Sequence, residues 1–254
     1  MTERIIGIMS AMPEEIDGVV DLLTERQELT KGMRTYYSGK INNIPTVVVF
    51  SRWGKVAAAT TVANLILDFN ITELIFTGVA GAINHELNIG DIVIGSRLVQ
   101  HDLDARPLIA QFEIPLLGMT HVTSPARQVN RSLVAINELL SNKHLHAVLS
   151  DDELKDFGIT NPKVLIGDIS SGDKFFSSND DKLKLQNILP NTLCVEMEGA
   201  AVAQVCYEYE IPFTIIRTIS DSADDNSHVD FQSFIRHIAS KYSVEIIKNI
   251  YSVF

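Results

Sequence analysis

Basic residues are in short supply. The chain carries 21 Lys and Arg against 32 Asp and Glu, a net charge of −11. The few cations are spread out rather than clustered, which argues against nucleic acid or an anionic membrane surface as a partner. No apolar run is long enough to span a bilayer. The first residues, MTERIIGIMSAMPEE, read as a strand followed by acids, not as a basic start with an apolar core and a cleavage site. A cytoplasmic protein is expected. Cysteine is rarer still. Cys194 and Cys206 are the only two and both lie in apolar contexts, which reads as buried free thiols and not as a disulfide. Metal signatures are missing as well. HExxH and CxxC do not occur, and the seven histidines are scattered. His144 and His146 are too close for a helical ligand pair, so no metal is expected. Without GxSxG there is no nucleophile elbow, and without GxGxxG no dinucleotide fingerprint. Gly54-Lys55 lacks the upstream glycine of a phosphate loop.

Hydrophobic residues are plentiful, 46% of 254, enough for one large α/β domain or two small ones. Buried strands are expected at 4–9, 74–82, 91–99, 163–170 and 213–219, with a hairpin at 35–40 and 44–52 turning on Asn42-Asn43. Helices are expected from about 54 to 69, over 127–142 and 180–189, and from about Asp230 to Tyr251. Ser10 is a candidate cap for a helix starting near Pro13, with Glu14 and Glu15 in its first turn. Either acid pairs with the helix dipole, or one faces the crevice beyond the first strand. Residues 143–161 are polar, mixed and hard to place. Strands alternating with helices, with no clear linker, give an α/β fold. It is a three-layer sandwich with a central twisted mixed β-sheet flanked by helices, one domain over 1–254.

The densest chemistry lies between Leu193 and Asp225. Glu196-Met197-Glu198 opens an Ala-rich helix, Pro212 breaks it, and a buried strand then ends in Arg217, Ser220 and Asp221. Ligands of α/β sheets sit beyond the carboxyl ends of strands, so this segment is expected to bring acids and one cation to one pocket. Gly78 and Gly81, at the end of LIFTGVAGA, would let a ligand ring approach the backbone, or simply make a tight turn. Phe175-Phe176 after Gly172-Asp173 reads either as a stacking platform or as a core pair. His101, Asp102 and Asp104 open a long irregular stretch to about Ser124, of a length usually functional or interfacial. A carboxylate-rich pocket with Arg, Ser, glycines and aromatics suits cleavage of a bond to a sugar. There positive charge grows on the ring and the leaving group must be protonated.

The order and spacing of GIMSAMPEE, SRWGKVAAA, TGVAGA, SGDKFF, VEMEGAAVA and RTISDSAD resemble the nucleoside phosphorylase/nucleosidase superfamily. Within it, they are most similar to the 5′-methylthioadenosine/S-adenosylhomocysteine nucleosidase family. VEME with a downstream SDxAD carries most of the weight. Residues 119–161 fall outside the resemblance and read as an insertion. The resemblance implies a homodimer without metal or organic cofactor that hydrolyses the N-glycosidic bond of 5′-thio-substituted adenosines. It implies that Asp221 protonates purine N7, steadied by Ser220, and that Glu198 holds the ribose hydroxyls. Glu15, with Arg217 close by, positions and deprotonates the attacking water. Met197 packs beneath the sugar and Phe175 stacks on the purine, while the backbone of Phe176 reads the purine edge. Met12, Trp53, Phe231, Glu196 and the Val79-Ala80-Gly81 turn line the rest. In the family, the loop matching 101–118, partly from the neighbouring subunit, closes over the 5′ substituent. Val79 replaces the Ser of well-known bacterial members, and Trp53 replaces a smaller aliphatic residue. Three alternatives remain: phosphorolysis on the same fold, hydrolysis of another adenosine derivative such as aminodeoxyfutalosine, and a catalytically silent nucleoside-binding protein.

Overall fold

The computed structural model describes residues 3–141, 145–225 and 227–254. His144 lies outside the described residues, as do Lys143 and the side chain of His146.

The apolar runs become strands because their β-branched residues pack on both faces of one sheet. In chain order the strands and helices are β1 (Ile6–Ser10), α1 (Pro13–Val20), β2 (Thr24–Lys31), β3 (Arg34–Ile41), β4 (Ile44–Phe50), α2 (Lys55–Phe69), β5 (Glu73–Ala82), β6 (Ile92–Gln100) and β7 (Val122–Thr123). The second half supplies α3 (Ala126–Ser141), α4 (Leu145–Val148), α5 (Asp151–Asp156), β8 (Val164–Ser171), α6 (Asn179–Ile188), β9 (Thr192–Glu196), α7 (Gly199–Glu208), β10 (Phe213–Asp221), α8 (Ser227–Phe234) and α9 (Ser240–Ser252). A π turn, Ile235–Ala239, joins α8 to α9, where the sequence suggested one unbroken helix. The Asn42-Asn43 turn is there, with both residues at positive φ, +49° and +63°, as a two-residue hairpin requires. The fully exposed edge strand β2 has no apolar alternation and was not legible.

The fold is the expected α/β arrangement, a central mixed sheet between helical layers. One apolar cluster lies under α1, α3 and α9; the other lies under α2 and α7. The sheet also does something that periodicity cannot reveal. β5 pairs with β9 as well as β10, and β10 pairs with β6, so β5, β10, β6, β8 and β9 close into a ring. β1, β4, β5 and β10 run one way, while β6, β8 and β9 run the other. The antiparallel β5–β9 contact is confined to the last residues of each strand, Gly81 opposite Val195 and Ala82 opposite Cys194. The two sets therefore meet head-on, and their carboxyl ends converge on one place.

Candidate active site

That place is a cavity of about 360 Å³, within the range for small-molecule sites. Its acids are Glu15, Glu196, Glu198 and Asp221, and no Lys or Arg is found among its described lining residues.

Glu15 comes from the first turn of α1. Ser10 does not cap this helix; its Oγ donates to the carbonyl of Met12 at 3.0 Å. The carboxylate of Glu15 does the work instead. Its Oε2 accepts the N–H groups of Ala11 and Met12, both at 2.9 Å, and Oε1 accepts that of Val79 at 3.1 Å. Burial pushes the carboxyl up to about 7, against the opposing pull of the Arg217 charge and these N–H groups. Gly78 is what admits it. A Cβ there would lie 3.0 Å from Glu15 Oε1 and 3.4 Å from Arg217 Nη1. The bare position serves two protein side chains, where the sequence suggested either room for a ligand ring or a tight turn.

Glu196 and Glu198 look equivalent in sequence but are not. Glu196, at the end of β9, accepts the N–H groups of Glu198 (3.1 Å) and Gly199 (2.8 Å), so it caps α7. It also accepts from Ser171 Oγ, which in turn accepts the N–H of Ala200 at 2.7 Å. Arg217 completes the shell, with Nη2 2.7 Å and Nε 3.2 Å from Glu196 Oε2. The same guanidinium donates to the carbonyls of Phe76 and Ile216 and lies 4.1 Å from the Phe76 ring centroid. Arg217 is thus fully buried behind the wall and does not line the cavity. It balances Glu196 and stands close to Glu15. Glu198 keeps one oxygen for the cavity. Its Oε1 accepts the N–H of Gly54 at 2.7 Å. Burial, reinforced by the charge of Glu196, pushes its carboxyl up to about 8.

Asp221 ends β10. Register along β5 slips between Ile219 and Asp221, so Ser220 is an extra residue in a bulge. Side chains adjacent in a regular strand point to opposite faces; a bulge re-aims one of them. Here Ser220 Oγ donates to Asp221 Oδ2 at 2.8 Å. Oδ1 accepts the N–H of Ala223 at 2.9 Å. Burial raises the Asp221 carboxyl above its ordinary value, while these donors pull the other way. Gly81 makes the room: a Cβ there would come within 2.9 Å of Asp221 Oδ1.

The remaining expected residues divide between wall and core. Met12, Trp53, Val79, Ala80, Gly81, Phe175, Met197 and Phe231 all line the cavity. Phe231 sits between Phe175 (5.4 Å between centroids) and Trp53 (6.4 Å), edge to face with both. Phe175 is partly exposed, as a stacking platform must be; the Phe176 side chain is buried with Ile83, Leu185, Val195 and Ala223. The sequence reading missed His228 and Gln232, which line the cavity beside Phe231. Their spacing, 228, 231 and 232, is one helical face, and that signal was available. It also missed a clamp around the rim. Asp102 accepts from Lys55 Nζ (2.5 Å) and from the N–H of Asp173 (2.9 Å), while Asp173 accepts the N–H of Lys55 (2.8 Å). These bonds fasten the Gly54 turn, and with it Glu198, to the start of the 101–118 loop. Among the described residues, no three His, Cys, Asp or Glu side chains are placed to hold a metal ion.

The family description of the phosphorylase superfamily matches residues 5–250. The chain belongs to that superfamily. Among its curated relatives in the phosphorylase superfamily, the 5′-methylthioadenosine/S-adenosylhomocysteine nucleosidase of Staphylococcus haemolyticus is 31% identical, over 98% of this chain and 99% of its own. The aminodeoxyfutalosine nucleosidase of Helicobacter pylori is 32% identical, over 96% of each. A solved superfamily structure, the S-adenosylhomocysteine nucleosidase of Streptococcus pyogenes with 5-methylthiotubericidin, superposes with a TM-score of 0.84. It is 32% identical and covers 99% of this chain and 97% of its own.

Proposed function

We propose that this protein is an N-glycosyl hydrolase that releases adenine from 5′-methylthioadenosine, S-adenosylhomocysteine or a close 5′-thioadenosine. One observation carries the reading: four buried carboxylates, from the ends of β9 and β10 and the starts of α7 and α1, line a single cavity with no Lys or Arg among its described lining. A cavity of that kind favours a substrate that gains positive charge as it reacts. Burial makes the carboxylate anions of Glu15 and Glu198 costly in the resting site and raises the pKa of both groups. An oxocarbenium ion forming between them is stabilised more than the neutral nucleoside, which is the condition for lowering a barrier.

In this reading Asp221 gives its proton to purine N7 as the C1′–N9 bond breaks and the electron pair leaves with the base. Ser220 holds the aspartate toward the purine. Glu198 takes the ribose hydroxyls, and Met197 packs against the sugar. Water adds to C1′ from the side of Glu15, which accepts its proton; the products are adenine and the thioribose. Phe175 covers the purine face and the Phe176 backbone lies at its edge. A phosphate dianion in place of water would find Glu15 where it needs a cation, and this weighs against phosphorolysis.

The test is adenine release from 5′-methylthioadenosine in phosphate-free buffer; a requirement for added phosphate would overturn hydrolysis. Aminodeoxyfutalosine stands as a second substrate to assay, because the Helicobacter pylori relative is as similar as the nucleosidases. We read residues 1–254 as one functional unit, with 119–161 an elaboration whose helix α3 packs on α9. We further propose a cytoplasmic homodimer joined through the 101–118 loop, where Leu108 and Leu116 stand exposed. Mass measured by light scattering tests the dimer, and a monomeric mass at micromolar concentration would reject it. The buried free thiols of Cys194 and Cys206 suit a reducing compartment.

A further inference from the structure

Glu198 is the least anchored of the acids that face the substrate. Glu15 takes three backbone N–H groups. Asp221 takes the N–H of Ala223 and the hydroxyls of Ser220 and Ser227. Among the described residues a single donor reaches the Glu198 carboxylate, the N–H of Gly54 at 2.7 Å. Burial and the Glu196 charge raise this group, and the Gly54 N–H is the foremost influence opposing them, ahead of Arg217. The direction of that N–H therefore decides how Glu198 meets a ligand.

Gly54 cannot hold that direction by itself. Its φ of +92° is open to glycine, the residue with the most backbone freedom to lose. The helix that follows, α2, has no acid in its first turn and no side-chain cap from Gly54. Asp173 supplies the cap from another part of the chain, accepting the Lys55 N–H at 2.8 Å. A Cβ on Gly54 would lie 3.0 Å from Asp173 Oδ1, so the turn closes against this carboxylate. Asp102 joins the parts. Its Oδ1 accepts from Lys55 Nζ at 2.5 Å, and its Oδ2 accepts the N–H of Asp173 at 2.9 Å. Only 17% of the Lys55 side chain and 33% of that of Asp102 are exposed, so the pair is stronger than one on open surface.

The two oxygens of Asp102 thus serve different parts of the cavity. One leads through Lys55 and Gly54 to Glu198. The other leads through Asp173 to Phe175, two residues further on. We propose that Asp102 and Lys55 are positioning residues: Asp102 sets the grip on the ribose through Lys55, and the seat of the purine through Asp173. The inference rests on the hydrolytic reading above, with Glu198 at the ribose hydroxyls, and adds the residues that aim it.

The test compares 5′-methylthioadenosine with its 2′-deoxy analogue, with enzyme in excess so that slow variants are read in one turnover. The ratio of the two kcat/KM values reports the grip on the 2′-hydroxyl, and the intrinsic reactivity of the two bonds cancels between wild type and variant. Glu198→Gln should lower the ratio by about ten-fold or more, the worth of a hydrogen bond to a charged group. Lys55→Met and Asp102→Ala should each lower it by roughly three- to ten-fold, and Lys55→Met added to Glu198→Gln should lower it no further. Inhibition by adenine reads the other arm. Its Ki should stay within about two-fold in Lys55→Met and rise by roughly three-fold or more in Asp102→Ala. A clamp that merely held the fold together would slow both nucleosides alike and leave the ratio unchanged. Arg34 still donates to the carbonyls of Ser51 and Ala57, on either side of the turn, so the variants should fold; where one cannot be purified, the ratio in the other decides. A ratio unmoved in the clamp variants while Glu198→Gln lowers it overturns the proposal, as does an adenine Ki that Asp102→Ala leaves unchanged. A wild-type ratio in Glu198→Gln removes that acid from the ribose, and the proposal with it. If neither nucleoside releases adenine, the hydrolytic reading falls too.

Discussion

Replacing Asp221 by Asn should remove a proton and little else. Oδ1 accepts the N–H of Ala223 at 2.9 Å, and that group cannot turn round, so the amide oxygen of Asn must take this side. The amide NH2 then occupies the place of Oδ2, facing Ser220 Oγ at 2.8 Å. A hydroxyl can reverse. It would accept from the amide and donate to the carbonyl of Ala80, already 3.4 Å away. Both contacts persist, and the Ser227 hydroxyl, a third donor to this carboxylate, can likewise turn to accept, so the stability change should stay within about 1 kcal/mol, a shift in Tm of roughly 2–4 °C for a chain of this size. The rate has no such reserve. Positioned general acids contribute about 10² to 10⁴, equivalent to about 3 to 5 kcal/mol of barrier. Adenine release from 5′-methylthioadenosine gives kcat, and thermal melting with and without adenine reports fold and base binding. The expected result is a 10²- to 10⁴-fold loss of kcat with near-normal melting and a retained adenine shift. A variant that binds adenine normally and turns over within about ten-fold of wild type would refute the assignment of the acid.

Glu15→Gln should behave differently, because backbone N–H groups converge on both of its oxygens. Either orientation of the amide sets NH2 against N–H, so urea unfolding should reveal a loss of about 1–3 kcal/mol together with loss of turnover. The raised Glu15 carboxyl also predicts a pH trend. Between its ordinary 4.5 and about 7 the folded state binds the extra proton, so stability falls as pH rises through that window, by about 3 kcal/mol from this group. Urea midpoints at pH 5 and pH 8 should therefore differ more in wild type than in Glu15→Gln; an equal difference would count against it. For activity, kcat/KM should drop as pH falls below about 7, where the free enzyme's Glu15 takes up its proton; a flat profile from pH 5.5 to 8 would remove Glu15 as the base. Gly78→Ala would press a Cβ against Glu15 and Arg217. It should cost about 1–3 kcal/mol in stability and lower adenine release at least ten-fold, and an unaffected rate would mean that Glu15 tolerates displacement.

Much of this was legible because burial leaves a periodic trace. β1, β5, β6, β8 and β10 are apolar runs bounded by turn residues, and α2, α3 and α6 carry helical spacing. β2 left no trace, since an exposed edge strand has no face to pattern. The acids of the site were legible by position, just past strands or at helix starts. Their division of labour was not. Nothing in the string Glu196-Met197-Glu198 says that the first carboxylate is consumed by a helix end and Arg217 while the second stays available; only the register of β9 against β5 and β8 decides that. The purpose of Gly78 and Gly81 was similarly hidden, because what a missing Cβ makes room for lies far away in sequence. The clamp from Asp102 to Lys55 and Asp173 joins residues 47 and 71 positions apart, beyond the reach of any local pattern.

The head-on meeting of β5 and β9 has a practical corollary. Glu15 belongs to the first half of the chain, Glu198 and Asp221 to the second, and neither half alone encloses a pocket. Cleave the polypeptide at the surface-exposed turn around Gly158, and each fragment should be inert until the two are mixed. Liberated adenine would then register reassembly of the severed enzyme, a split reporter supplied by the topology itself.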